Sequence, residues 1–211
     1  RDYWISCVVN PSVGREWEWG GDRFSKTKTP KTVLVVGAGP AGLEAARAAG
    51  ERGHKVILTE AAAQIGGQYR LAGLQPRRSQ ILDLLTWYET QLTKLGVEVK
   101  LNTYVEAEDI AGFAVDEIIV ATGSLPEGQG FQKALPHIAR LPGIDGGNVW
   151  PIEDVLARAA RLGPRVIVFD ETGGWRGCGT AWKLAEDGHD VTLVTPDAMI
   201  GRDLVRVAAD F

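Results

Sequence analysis

The stretch KTVLVVGAGPAGLEAARAAGERGHKVILTE, residues 31–60, decides the fold of this chain. It opens with an apolar, β-branched run at residues 33–36, which is typical of a strand buried on both faces of a parallel sheet. A glycine-rich turn and an alanine-rich segment to about Gly53 come next, and a second apolar run, residues 56–59, ends at Glu60. This order predicts a strand, a helix and a second parallel strand of an α/β fold.

The turn after the first predicted strand reads GAGPAG and has the spacing G-x-G-x-x-G. Gly37 permits the tight turn, Gly39 lets a pyrophosphate approach the backbone, and Gly42 lets the helix pack closely on the strand. The helix N-terminus adds free N–H groups and a partial positive charge. The motif alone is a weak indicator, but here strand, glycines, helix and second strand occur in the required order. The predicted diphosphate-binding residues are Gly37, Ala38, Gly39, Pro40, Ala41 and Gly42.

Glu60 ends the second predicted strand, about 20 residues beyond the glycines, where an acidic side chain can accept hydrogen bonds from an adenosine ribose. A carboxylate at this position disfavours the 2′-phosphate of NADP, because like charges would meet. ADP, FAD or NAD therefore fit the position, and NADP does not.

Two later segments complete the predicted site. IGGQ, residues 65–68, could bring backbone N–H groups to an anionic ligand, although an ordinary turn is the alternative reading; we assign Gly66, Gly67 and Gln68. Residues 114–123 predict a buried strand that ends in Ala121, Thr122 and Gly123.

Between these segments lie two further elements of the predicted sheet unit. Apolar side chains recur at helical spacing over residues 81–95, which predicts an amphipathic helix within residues 79–96 that covers the sheet. A third strand is predicted at residues 97–103, and Val105 just beyond it could meet an adenine through its backbone.

This arrangement resembles the two-dinucleotide-binding flavoprotein superfamily, in which the sequence Ala-Thr-Gly after a hydrophobic strand closes the FAD site. The residues that carry the resemblance are Gly37, Gly39, Gly42, Glu60, Gly66, Gly67, Thr122 and Gly123. The resemblance implies a Rossmann-like parallel sheet in the first unit, with FAD or ADP as the bound cofactor, and a second unit of similar fold.

The chain divides into four predicted segments: a linker at 1–24, the nucleotide-binding unit at 25–125, a Gly- and Pro-rich crossover at 126–150 and a partial second unit at 151–211. A short helix is expected at about 152–162. Residues 164–196 then repeat the first unit in outline, with His54 and His189 at equivalent turn positions. We assign neither histidine a catalytic role.

The glycine-rich loop of the second unit differs from that of the first. Asp170 corresponds to Gly37 and Gly177 to Gly42, so the second loop is two residues longer and opens with two carboxylates, Asp170 and Glu171. These charges oppose a diphosphate, and no acidic residue corresponds to Glu60. We expect the second unit to have kept the fold and lost the dinucleotide.

Two further side chains of this loop and helix have predictable roles. We expect Trp175 to plug the vacated pocket, since no nicotinamide remains for it to stack on. Cys178 has no partner at metal or redox spacing, so we expect a buried structural thiol.

Composition excludes several function classes. The net charge of −4 and the pI of about 5.5 leave no basic surface for nucleic acid, and the longest apolar runs are too short and glycine-broken to span a membrane. Two cysteines far apart make no disulfide framework, which favours a reducing compartment and a cytoplasmic location.

The segment SCVVNPSVGRE, residues 6–16, precedes the glycine motif by some twenty residues and resembles a junction in the NADH:flavin oxidoreductase family. That family joins an FMN-containing TIM barrel to a 4Fe-4S cluster and an ADP- or FAD-binding domain. It includes trimethylamine, dimethylamine and histamine dehydrogenases, N-methylproline-type demethylases and 2,4-dienoyl-CoA reductase. In the family, the cysteine before Asn-Pro is the last of four cluster ligands, and Cys7 matches it. An incidental free thiol is the alternative.

The resemblance implies that the chain is the nucleotide-binding part of a longer protein. Its FMN barrel and the other three cluster ligands would then precede Arg1, and the barrel would be its covalent partner. The degenerate second loop favours an amine dehydrogenase or demethylase that passes electrons to an acceptor such as electron-transfer flavoprotein, and we expect a homo-oligomer. No catalytic residue is assigned in this chain, which we expect to be inactive alone. The alternatives are an NAD(P)H-dependent reductase of the 2,4-dienoyl-CoA reductase type and a non-redox ADP-binding module.

Overall fold

The computed structural model describes residue 7 and residues 9–20, 23–133 and 135–204. Within these residues the chain forms two compact units. The first unit consists of the described residues up to 70 together with residues 81–123, and the second consists of residues 71–80 together with the described residues from 124 onward. The inclusion of residues 71–80 in the second unit has no counterpart in the sequence pattern.

A parallel four-stranded sheet forms the centre of the first unit. Its strands are β1 (Thr32–Val36), β2 (Lys55–Thr59), β3 (Glu98–Lys100) and β4 (Glu117–Val120), and their order is β3-β2-β1-β4. The helices are α1 (Glu16–Trp19), α2 (Pro40–Glu51), α3 (Gly67–Gly73), which ends in segment 71–80, and α4 (Asp83–Lys94). Two 3₁₀ turns cover Ser79–Leu82 and Ala107–Phe113. The predicted α/β class with a parallel sheet is confirmed.

The sheet is buried on both faces at its centre, as the continuous apolar run of β1 predicts. Alternate residues of a strand point to opposite faces. One set packs with helices α2 and α4 in a cluster of Val33, Val35, Val56, Leu58, Leu43, Ala46, Leu85, Tyr88 and Leu92. The other set, Leu34, Val36 and Ile57, packs against Val105, Phe113 and Val115. The edge strands β3 and β4 are less buried. All residues of β4 are exposed, so the prediction of a buried strand before Ala121 was wrong, because β4 lies at the edge of the sheet.

The helix expected within residues 79–96 begins as the 3₁₀ turn and becomes α-helical only at Asp83. The helix that begins at Pro40 ends at Glu51, before the positive φ of Gly53.

The second unit repeats the strand, helix and strand of the first. After α5 (Ile152–Leu156) come β5 (Arg165–Phe169), α6 (Trp175–Glu186) and β6 (Asp190–Val194), with β5 and β6 parallel. Val168, Ala181 and Leu184 form the core of this unit. Helix α5 ends well before Leu162, because Arg158 adopts a left-handed φ of 59° that interrupts the helix.

The repeat extends to the turns that precede the second strand of each unit. His54 Nδ1 accepts a hydrogen bond from the Lys31 backbone, and His189 Nδ1 lies 2.9 Å from the Gly163 carbonyl oxygen. Both contacts tie the turn to the backbone just before the first strand of its unit. None of the helices in the described ranges is long and apolar enough to cross a membrane.

Candidate nucleotide-binding site

The three-residue turn between β1 and α2 is held by close backbone packing. Gly37 has a φ of +100°, and a Cβ atom there would lie 2.4 Å from the Ala121 carbonyl oxygen. A Cβ atom on Gly42 would lie 1.8 Å from the Gly37 carbonyl oxygen. Glycine is therefore required at both positions by the fold itself, for the tight turn and for the close approach of helix and strand.

Gly39 differs from these two glycines, because the fold does not require it. Its φ is −71°, which any residue can adopt, and a Cβ atom there would meet nothing within 4 Å. It is the N-cap of α2, and no side chain caps the amides of the first helical turn. The open space above Gly39 therefore lies beside helix N–H groups that can bind an anion.

The IGGQ segment lies directly against this turn. The Gly66 amide donates to the Ala38 carbonyl oxygen at 2.8 Å, and a Cβ atom on Gly67 would come within 3.5 Å of the Gly39 Cα atom. Gly66 and Gly67 both have positive φ, and α3 begins at Gly67. Gln68 is exposed. The structure thus brings the two glycine-rich segments together, which an isolated turn would not require.

Glu60 is held in place at the end of β2. Its Oε2 atom accepts a hydrogen bond from the Ala38 amide at 2.8 Å, and its Oε1 atom accepts one from the Ala62 amide at 2.9 Å. The side chain is half-buried. An ionised carboxylate has about four acceptor sites, so two remain for the hydroxyl groups of a ribose. The carboxylate is thus tied to the glycine turn itself.

The remaining predicted residues also lie at the carboxyl ends of the strands. The Thr103 amide donates to the Glu60 carbonyl oxygen, which places the segment leading to Val105 beside β2, while the Val105 side chain packs in the core. The Ala121 amide donates to the Val36 carbonyl oxygen, and Thr122 and Gly123 follow on the surface. Ligands of open parallel sheets bind at this end of the strands.

An ion-pair network on helix α2 was not predicted from the sequence. Arg47 is 6% exposed and contacts Glu44 at 2.6 Å and Glu51 at 2.7 Å. The Tyr88 hydroxyl of α4 donates to Glu44, and burial followed by the Glu44 charge raises the pKa of Tyr88. The hydrogen bond to Glu44 raises the pKa of Arg47 in turn. This network ties α2 to α4, and its signal in the sequence is the spacing of three and four residues between the charges.

The loop of the second unit is two residues longer than that of the first, as predicted. Five residues, 170–174, separate β5 from α6, whereas three separate β1 from α2. Trp175 does not fill this loop, contrary to our expectation. Its ring lies along α6 close to Gly179, with the Arg78 guanidinium 4.9 Å from the ring centroid. The space inside the loop is occupied by the side chain of Asp170.

The two cysteines lie in different surroundings. Cys7 is exposed, and Cys178 is half-buried. Burial and the nearby Asp170 carboxylate raise the pKa of Cys178, which agrees with a structural thiol. Across the described ranges, no group of three or more side chains is arranged to hold a metal ion. A 4Fe-4S cluster requires four ligands, so coordination by Cys7 would need three ligands from outside these residues and stays a prediction.

Comparison with known proteins agrees with the geometry of the first unit. Residues 32–105 match the family model described as FAD dependent oxidoreductase. The chain is 38% identical over 191 residues to a probable N-methylproline demethylase of Rhizobium meliloti and 41% identical over 191 residues to a cinnamate reductase of Clostridium sporogenes. Each alignment covers 90% of this chain and 26% of the relative, so the chain spans about a quarter of their length.

Histamine dehydrogenase from Rhizobium sp. 4-9 has a similar structure, with a TM-score of 0.84 and 33% sequence identity over 96% of this chain and 32% of that chain. The parallel sheet, the glycines at the ends of its strands and these similarities all indicate a flavoprotein oxidoreductase domain. Residues 32–105 carry an FAD-dependent oxidoreductase domain, and the homologues of the chain include proteins named N-methylproline demethylase and histamine dehydrogenase.

Proposed function

We propose that the first unit binds the adenosine diphosphate part of FAD, or ADP itself. The observation that supports this most directly is the open backbone at Gly39, which lies against Gly67 and beside a carboxylate fixed by the Ala38 amide. The diphosphate would lie over the start of α2, and the ribose hydroxyls would donate to Glu60. Val105 and the segment Ala121 to Gly123 would border the ligand on either side.

We further propose that the chain is the nucleotide-binding part of a longer iron–sulfur flavoprotein that oxidises a small N-methylated amine. A flavin supplies the hydride-accepting chemistry in such proteins, and the protein supplies binding and orientation. In this proposal an FMN-containing barrel lies elsewhere in the longer protein, and Cys7 is one of the four thiolate ligands of a 4Fe-4S cluster. Electrons would leave for a protein acceptor such as electron-transfer flavoprotein. The chain alone would then be inactive.

The nature of the bound nucleotide is tested by releasing it from the purified chain under denaturing conditions. A flavin absorbs visible light and ADP does not, so the absorption spectrum and the mass of the released compound separate the two. Either compound supports the proposed site. A nicotinamide dinucleotide, or a protein that retains no nucleotide and binds neither FAD nor ADP in titration, would contradict it.

A second candidate function is a flavin-dependent reductase, which the 41% identity to a cinnamate reductase favours. In this proposal NAD(P)H supplies the electrons. Such an enzyme would need a nicotinamide dinucleotide in the second unit, where the Asp170 carboxylate lies buried inside the loop of residues 170–174. The two candidates separate when NADH or NADPH is added anaerobically to the flavin-loaded chain. Bleaching of the flavin would favour the reductase, and an unchanged spectrum would favour the amine-oxidising protein or an ADP-binding module without redox chemistry.

A further inference from the structure

The carboxylate of Asp170 is buried inside its own loop. Asp170 is 4% exposed, although it directly follows the last residue of β5. Its Oδ1 atom accepts hydrogen bonds from the Thr172 amide at 2.8 Å and the Thr172 hydroxyl at 2.7 Å. The Gly173 amide lies 3.2 Å from both carboxylate oxygens. Donors of this loop thus surround a negative charge, as they would surround a bound anion.

The position of this carboxylate can be compared with that of the first unit's turn. Gly42 and Gly177 are each the third residue of their helix. A Cβ atom on Gly42 would meet the carbonyl oxygen of Gly37, and a Cβ atom on Gly177 would lie 2.3 Å from Cγ of Asp170. The Asp170 side chain therefore packs against the first turn of α6, where the Gly37 backbone packs in the first unit. Gly174, the N-cap of α6, resembles Gly39, because no atom lies within 4 Å of its Cβ position.

We propose that Asp170 is the residue that excludes a nucleotide diphosphate from the second unit, because its carboxylate acts as an internal anion in the loop. A diphosphate over the N-cap of α6 would meet the negative charge of this buried carboxylate, and the loop amides of Thr172 and Gly173 already bind Asp170. This mechanism differs from repulsion at the surface of the loop, and it assigns the exclusion to one side chain. The inference concerns the second unit alone and does not require that the first unit bind a nucleotide.

Glu171, the second carboxylate of the loop, has a different partner. Its Oε2 atom accepts a hydrogen bond from the Lys133 amide at 2.8 Å. The side chain is thus directed toward the segment around Lys133, and its charge is not used by the donors at Thr172 and Gly173. Glu171→Gln is therefore a matched control, since it removes one carboxylate of the same loop and leaves the buried one in place.

The test is hydrogen exchange with mass spectrometry on the whole 211-residue chain, with and without inorganic pyrophosphate. The variants are Asp170→Gly, Asp170→Asn and the control Glu171→Gln. Peptides that cover residues 170–177 report on the loop, and peptides from β5 and β6 report whether the second unit is folded. This resolution also separates the loop from any pyrophosphate bound in the first unit.

In the wild-type chain and in Glu171→Gln, we expect pyrophosphate to leave exchange at residues 170–177 unchanged. In Asp170→Gly, these amides should exchange at least about tenfold faster, because they lose a charged acceptor, and pyrophosphate should restore their protection. Protection of the wild-type loop by pyrophosphate would overturn the proposal. So would an Asp170→Gly variant with a folded β5 and β6 whose loop does not respond to pyrophosphate.

Asp170→Asn keeps the volume of the side chain and decides the outcome if Asp170→Gly unfolds the second unit. The loss of charge should accelerate exchange at Thr172 and Gly173 several-fold, while the retained bulk should still prevent a response to pyrophosphate. Exchange at the wild-type rate would show that the charge of Asp170 does not hold the loop donors, and would contradict the inference.

Discussion

Gly39 and Gly42 lie three residues apart in one turn, and their missing side chains serve different purposes. At Gly42 a Cβ atom would collide with the Gly37 carbonyl oxygen, so the fold requires glycine. At Gly39 the backbone angles suit any residue and the space is open. A glycine that the fold does not need, beside uncapped helix amides, indicates a position kept clear for a ligand.

Gly39→Leu should therefore separate binding from folding. We expect the affinity for ADP or FAD to fall at least about tenfold, because the leucine side chain occupies the approach of the diphosphate to the helix amides. The free energy of unfolding should fall by no more than about 1 kcal/mol, the usual cost of a poor N-cap. Titration calorimetry and urea denaturation measure the two quantities.

Gly112→Leu is the matched control for this variant. Gly112 is exposed, belongs to the same unit and also has no atom within 4 Å of a Cβ position. The Gly112→Leu variant should bind nucleotide with wild-type affinity. Equal affinity of the Gly39→Leu variant and this control would place the diphosphate elsewhere.

The surroundings of Cys178 make a second prediction at the level of single residues. Burial, followed by the nearby Asp170 charge, raises the pKa of Cys178, so less of its thiol is ionised at neutral pH than in an ordinary cysteine. Its alkylation by iodoacetamide should therefore be slower than that of the exposed Cys7, and its rate should rise only at higher pH than for a free thiol. Peptide mapping by mass spectrometry measures both rates. Equal rates in the folded chain would contradict the assignment.

Segment 71–80 belongs to the second unit because of its contacts with α6, and no periodic pattern in the sequence predicts these contacts. Gln75 is 5% exposed, and its amide donates to the Trp175 carbonyl oxygen at 2.9 Å and to the Thr180 hydroxyl at 3.3 Å. The guanidinium groups of Arg77 and Arg78 lie over the rings of Trp182 and Trp175. This segment therefore packs on α6, far along the chain from its own position.

Gln75→Ala should destabilise the second unit by about 1–3 kcal/mol, because it removes a buried side chain together with its hydrogen bonds to Trp175 and Thr180. We expect the backbone amides of α6 to exchange hydrogen faster in this variant than in the wild-type chain. Gln80→Ala provides the matched control, since Gln80 is an exposed glutamine of the same segment and its replacement should change little. If the two variants exchange alike, the contacts of Gln75 do not stabilise the unit.

At the scale of the whole molecule, two units of similar topology have different chemistry. The first has a turn of three residues, and the second has a turn of five residues with the Asp170 carboxylate buried inside it. The backbone at the helix N-cap is open in both, at Gly39 and at Gly174. A ligand that binds only the native state stabilises the unit that holds it. The change in stability of each unit on addition of a nucleotide therefore shows which of the two turns binds a diphosphate.

ADP at about a hundred times its Kd should raise the unfolding free energy of the first unit by about 2.7 kcal/mol and leave that of the second unit unchanged. Hydrogen exchange of the slowest amides in β1 and β5 measures the two units separately. AMP is a suitable control, because it has the adenosine and lacks the second phosphate, so its effect should be smaller. Stabilisation of β5 by ADP would contradict the proposal that the loop of the second unit excludes a diphosphate.

Much of the fold could be predicted because its determinants are local in the sequence. The apolar run of β1, the glycines of the turn and the alanine-rich segment of α2 predicted a buried parallel strand and its helix, and the structure confirms them. The later elements were predicted less accurately at their ends. The helix near residue 80 begins as a 3₁₀ turn, and α5 ends at Leu156, just before the left-handed φ of Arg158.

The sequence by itself determined the strand–turn–helix pattern, the positions of the turn glycines and of Glu60, and the similarity to FAD-dependent oxidoreductases, because each depends on residue types at short spacing that backbone geometry demands. Only the tertiary structure decided that IGGQ lies against the first turn, that Gln75 packs on α6, and that Asp170 rather than Trp175 fills the second turn. These contacts join distant residues or depend on side-chain direction. They depend on the free energy of burying and hydrogen-bonding particular polar groups, and a local sequence pattern does not predict that free energy.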